Sequence, residues 1–363
     1  MTSDVHSDVP SDVPSDVLLE TRGPLGLVTL NRPRALNALD LGMIRALTPA
    51  LEAWAEAPEV KAVVVRGAGG RAFCAGGDVR AVAASLGQPP PEGQVPFART
   101  FFQEEYALNR LIHHYPKPYV ALVDGICMGG GLGLSMHGSH RVVTERLVLA
   151  MPETGIGLFP DVGGGWFLPR FPGESGTYLG LTGARATAGD AAWLGYATAH
   201  VPHERLDALV EALGAADWSA GNAHAVTTGV VQGFATEPGP SALRAHAEAI
   251  DRCFAGPRVE DLLAALDAEG GEWAAHTRAT LGRMSPTSLK VTLRQLRLGK
   301  RLSYDELVEV EFRLSQHCTA RPDFREGIRA VLVDKDQRPR WRPATLAEVS
   351  DADVEACFAP VAP

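Results

Sequence analysis

Two glycine-rich turns constrain this chain more than any other feature: Phe73-Cys-Ala-Gly-Gly-Asp-Val79 and Gly125-Ile-Cys-Met-Gly-Gly-Gly-Leu-Gly133. Each follows a short β-branched run, Ala62 to Arg66 and Tyr119 to Val123, and each opens a segment that can be helical. Glycines between a strand and a helix start let backbone N–H groups approach a ligand closely, and the helix N-terminus adds positive potential. Two such turns can aim N–H groups at one point, which an oxyanion hole for acyl transfer requires. Neither is a phosphate-binding P-loop, because no Gly-Lys-Ser/Thr follows, and the spacing does not fit a dinucleotide GxGxxG with a later acid. Taken alone, either turn is also what a tight strand-to-helix connection uses.

The other β-branched runs, Leu27 to Leu30 and Arg141 to Leu149, alternate with helical stretches, so the expected class is a layered α/β core. After Asn37 the helical period is plain: Leu39, Met43, Ile44, Leu47, Leu51 and Trp54 share a face, with Asp40 near the cap position. Residues 3 to 17 repeat Ser-Asp-Val with little to bury, so residues 1–17 are expected to be a disordered tail. The core is then expected over 18–200. Beyond about residue 200 the strand signals fade, Leu206 to Leu213 and Tyr304 to Leu314 read as amphipathic helices, and 201–363 is expected to be mainly helical.

A net charge of -9 argues against nucleic acid or an anionic membrane surface as partner, though a local basic pocket for an anionic ligand is compatible with it. No apolar run is long enough to span a bilayer. Cys74, Cys127, Cys253, Cys318 and Cys357 form no CxxC pair and, with no signal-like N-terminus, fit a soluble protein in a reducing cytoplasm. No His/Asp/Glu cluster has metal-ligand spacing, and no GxSxG elbow appears.

Acidic residues in apolar settings are the remaining chemical signal. Glu153 and Asp161 stand eight apart in Met151-Pro-Glu-Thr-Gly-Ile-Gly-Leu-Phe-Pro-Asp-Val-Gly163. A carboxyl group among apolar neighbours has a raised pKa and can exchange protons near neutrality. A capping Glu153 and a turn-forming Asp161 explain the same residues blandly. Glu104-Glu-Tyr106 reads by default as a charged helix face.

In order along the chain, Leu30-Asn-Arg-Pro33, Ala38-Leu39, Ala72 to Asp78, Lys117-Pro118, Asp124-Gly125, Gly129 to Gly131 and Pro152-Glu153 resemble the enoyl-CoA hydratase/isomerase (crotonase) superfamily. The resemblance implies a spiral of ββα turns with a C-terminal helical region, and a coenzyme A thioester substrate. It also implies an oxyanion hole from the N–H groups of Gly77 and Gly130. Hydratases carry one catalytic Glu three residues after the second oxyanion glycine, where this chain has Gly133, while Asp161 stands where they usually have Gly. Glu104-Glu-Tyr106, Gly157-Leu-Phe-Pro-Asp-Val-Gly163, Ser285-Pro-Thr-Ser288 and Asp323-Phe-Arg-Glu-Gly327 instead look like the 3-hydroxyisobutyryl-CoA hydrolase branch, which acts in valine breakdown.

That branch implies Glu153 and Asp161 as the catalytic carboxyl groups, with Glu105 binding the substrate hydroxyl or orienting them. Glu153 would attack directly to form a mixed anhydride, or act as general base on water that Asp161 orients. Arg34, Ala75, Asp78 and Arg80 are the candidates for contact with coenzyme A, which is part of the substrate, so no separate cofactor is expected. The rival readings are a hydratase or isomerase, and a catalytically silent member of the same fold. A homo-oligomer is compatible with helices that can pack within or between subunits.

Overall fold

In the computed structural model, which describes residues 15–88 and 94–361, the β-branched runs divide between two sheets. The larger has β1 (Val17–Arg22), β2 (Leu25–Leu30), β3 (Ala62–Gly67), β5 (Tyr119–Val123), β7 (His140–Val143) and β9 (Ala199–His200), in that order. The smaller has β4 (Ala72–Cys74), β6 (Ile126–Met128) and β8 (Val148–Ala150). Among the described strands the β1–β2 hairpin pairs antiparallel and the other strand-to-strand pairings are parallel, with one further antiparallel bridge between Leu149 and Ala186. Each turn of the spiral therefore gives one strand to the larger sheet and the next to the smaller, and a helix carries the chain onward. This is the expected crotonase-like α/β class.

The helices that matter for the site are α1 (Leu41–Glu56), α2 (Val79–Ser85), α3 (Phe97–His113) and α4 (Gly130–Ser135). Asp40 caps α1 by accepting the Met43 N–H, and Met43, Ile44, Leu47, Leu51 and Trp54 form its buried stripe. The predicted run Arg141 to Leu149 is two strands in different sheets. The break comes at Thr144, whose hydroxyl donates to Asp124 and accepts the Arg146 N–H, turning the chain from one sheet to the other.

The repeat up to residue 14, expected to be a tail, lies outside the described residues. Val17 is not tail: it is buried and opens β1. From Leu206 onward the described chain is helical, apart from its connections. One apolar cluster runs from Val17 to Cys357, so the strands and the helices after residue 200 share a core.

Candidate active site

The first glycine turn is pinned by the loop that precedes α1. Ala75 N–H donates to Leu36 O, Leu39 N–H to Gly76 O, and Asp78 N–H to Leu39 O, at 3.0, 2.8 and 2.8 Å. Buried Asn37 in turn fixes that loop by donating to Ala68 O and Ala72 O and accepting the Arg32 N–H. Asp78 caps α2 through the Ala81 N–H and pairs with Arg32 at 3.4 Å. This backbone network skips the Gly77 N–H, which is left to face the second turn.

In that turn Gly129 has φ +47, a conformation that favours glycine, and Gly130 begins α4, where the first N–H groups have no intrahelical acceptor. A Cβ on Gly130 would stand 3.0 Å from the Gly77 nitrogen and 2.7 Å from Glu105 Oε1. A Cβ on Gly129 would stand 2.7 Å from Glu153 Oε1. The two turns thus meet, and two carboxyl groups lie against them in space that only glycine leaves open.

Glu105 comes from α3, Glu153 from the turn after β8, and Asp161 from the loop after it. All three are buried, at 2%, 5% and 5% exposure. Burial, and then the nearby Asp161 charge, push Glu105 and Glu153 well above the usual carboxylate range. Burial pushes Asp161 up to about 7, with the hydrogen bond from Tyr106 opposing the rise. That bond is 2.9 Å, from the Tyr106 hydroxyl to Asp161 Oδ2. The three carboxyl groups therefore titrate as one coupled set, in which charge on Asp161 disfavours charge on Glu105 and Glu153.

The Asp161 loop is held from the helical half. Glu311, in the helix Tyr304–Ala320, accepts the N–H groups of Gly163 at 2.7 Å and Gly165 at 3.0 Å, and the Gln295 side chain at 2.9 Å. His137 Nε2 bonds Val162 O at 2.8 Å. Val162 itself has φ +50, a strained conformation for a β-branched residue. Burial raises Glu311 to about 8 against the pull of those two N–H groups.

Arg34 and Arg80 are exposed, and among the described residues neither forms an ion pair. Ala75 is half-buried with its N–H already used, and the Asp78 carboxylate is occupied by its cap and by Arg32.

An Enoyl-CoA hydratase/isomerase family model matches residues 25–358. The chain belongs to the enoyl-CoA hydratase/isomerase family. Within this family it is 47% identical to "3-hydroxyisobutyryl-CoA hydrolase, mitochondrial" of Danio rerio, over 94% of this chain and 89% of that protein. The Homo sapiens protein of the same name is 45% identical over 94% and 88%. A crystal structure titled as a carnitinyl-CoA dehydratase from Mycobacterium thermoresistibile superposes with a TM-score of 0.87 at 43% identity, covering 96% of this chain and 97% of that one. One titled as an enoyl-CoA hydratase from Rhodobacter sphaeroides 2.4.1 gives 0.86 at 38% identity, covering 96% and 98%. The expectation of a cytoplasmic location is corrected by these relatives, since the curated ones are mitochondrial enzymes.

Sequence reasoning missed Glu311, Gln295 and Asn109, and quoted Tyr106 without giving it a role. A signal was there: Glu311 lies in the buried stripe of Leu307, Val308, Leu314 and Ser315, where helical spacing calls for an apolar residue. Glu105 and Asn109 interrupt the stripe of Phe101, Phe102, Leu108 and Ile112 in the same way, while Glu104 points outward to Arg45 at 2.7 Å.

A pH test follows. A carboxyl group whose folded pKa is raised holds a proton that the unfolded chain, with pKa about 4, has released, so it lowers stability as pH climbs between those values. Buried His137 and His140, lowered to about 3 and about 4, act oppositely, but only up to the unfolded histidine pKa of about 6.5. Comparing Asp161→Asn with wild type isolates the first effect. The variant's advantage in melting temperature is expected to grow from about pH 4 to about pH 7 and then level off. A gap that stays constant with pH would show that Asp161 titrates normally.

Proposed function

We propose that this protein hydrolyses the thioester of 3-hydroxyisobutyryl-CoA to 3-hydroxyisobutyrate and free CoA, as the names of its curated relatives indicate for them. The observation that carries this reading is Asp161 beside Glu153 at the paired glycine turns, with the hydratase acid position closed. A Cβ on Gly133 would lie 2.7 Å from Asn109 Nδ2 and 2.9 Å from Val162 Cβ, so a second glutamate has no room there. The titles of the two solved structures describe water addition or removal, and that machinery lacks a member in this chain.

In the mechanism we infer, the thioester oxygen sits on the N–H groups of Gly77 and Gly130, which stabilise the tetrahedral intermediate. One carboxylate of the Glu153–Asp161 pair supplies the attack, and the other carboxyl group gives its proton to the departing CoA thiolate. Attack takes one of two forms. Glu153 adds to the carbonyl carbon and water later opens the anhydride, or the carboxylate takes a proton from water as that water adds. Oxygen-18 entering Glu153 after one turnover in labelled water marks the first form, with water opening the anhydride at the Glu153 carbon, since a general base acquires no label. Glu105, against both turns, would bind or orient at the acyl end. Ala75 and Asp78 flank the first turn for contact with the CoA arm, and Arg34 and Arg80, in no ion pair among the described residues, offer cations to its phosphates.

The test is thiol release from 3-hydroxyisobutyryl-, 3-hydroxypropionyl- and crotonyl-CoA. Release is expected from both hydroxyacyl esters, because one methyl group discriminates by only about 1 to 3 kcal/mol. Gly130→Ala is expected to lower kcat by about 100-fold to 1000-fold, its Cβ pushing into Glu105 and the Gly77 amide. No thiol release by the intact protein, or hydration of crotonyl-CoA in its place, would overturn the hydrolase reading.

A further inference from the structure

Asn109 has no part in the chemistry above, yet it is 1% exposed and neither Oδ1 nor Nδ2 has a hydrogen-bond partner. Native proteins seldom bury an amide with both ends unmet, and where they do a ligand or water commonly completes it. Its surroundings say where such a partner would sit. The side chain projects from α3 one turn after Glu105, and Gly133, one turn along α4 from Gly130, lies against its Nδ2. Val162, next to Asp161, borders the same space.

Glu105 Oε1 and Glu153 Oε2 are also buried without partners. Four unmet polar atoms therefore gather around the two glycine turns, and the amide is the one group among them that carries no ionisable proton. A neutral side chain with one donor end and one acceptor end is suited to recognising a hydroxyl rather than to acid–base work. We propose that Asn109 binds the hydroxyl of the acyl group and thereby selects 3-hydroxyacyl thioesters over plain acyl thioesters. The proposal rests on the hydrolase reading and assigns it a specificity-determining residue.

The test uses the full-length protein and compares kcat/KM for 3-hydroxyisobutyryl-CoA and isobutyryl-CoA, which differ only in that hydroxyl. Wild type is expected to favour the hydroxy ester by at least about 100-fold, because the analogue leaves the amide unmet. Asn109→Leu, close in shape, is expected to lose about 30-fold or more on the hydroxy ester and little on isobutyryl-CoA, compressing the ratio. Asn109→Ala serves as the second variant, and a melting curve accompanies each. A wild-type ratio near one, or an equal fall on both esters in either folded variant, would overturn the assignment. Absence of thiol release from both esters by wild type would sink the hydrolase reading instead.

Discussion

Glu153→Gln is expected to lower kcat for thiol release by about 100-fold to 10,000-fold while KM changes only a few-fold, the usual weight of a positioned acid or base. The substitution keeps the shape that fits against Gly129 and removes only the ability to exchange a proton or attack. Since burial and Asp161 both disfavour a charge on Glu153, the neutral amide should leave the fold intact or firmer. Single-turnover thiol release with a melting curve reads both quantities. A variant that retains wild-type kcat would take Glu153 out of the chemistry.

The second large effect is expected far from the substrate. Glu311→Leu strands the N–H groups of Gly163 and Gly165 in a fully buried place and leaves Gln295 Nε2 only its bond to Pro160 O. Each unmet donor costs about 1 to 3 kcal/mol, so a loss of roughly 2 to 6 kcal/mol from the two backbone groups is expected in denaturant unfolding. Activity should fall further than stability explains, because Val162 holds its strained φ only while its neighbours are clamped. Glu311→Gln keeps an acceptor and should lose less of both. Equal unfolding midpoints for wild type and Glu311→Leu would show that the clamp contributes nothing.

The difference between these two glutamates marks what the sequence made legible. Local period and capping identified α1 and Asp40, because each depends on residues a few positions apart. The parallel runs at β3 and β5 were visible because both faces of those strands are buried, leaving continuous apolar stretches. Strand β1 was not, since five of its six residues are partly or wholly outside the core and only Val17 is inward. Nor was the division of the Arg141 to Leu149 run, which hinges on a hydroxyl reaching Asp124 from Thr144. Around the site, resemblance supplied Gly77, Gly130, Glu105, Glu153 and Asp161, and the structure brings these residues together. It could not supply Glu311 or Asn109, whose meaning depends on contacts across the fold.

The clamp on the Asp161 loop also bears on how the protein is made. Glu311 lies 148 residues after the Gly163 amide that it holds. As a chain emerges from the ribosome, N-terminal parts organise first. The strands of both sheets and the two glycine turns are synthesised well before the helix Tyr304–Ala320 exists. Until that helix docks, Asp161 lacks its fixed loop, so a nascent or prematurely terminated chain would carry every named catalytic residue and still be a poor hydrolase. Competence to spend a cellular thioester is thus tied to synthesis of a helix far from the residues that do the chemistry.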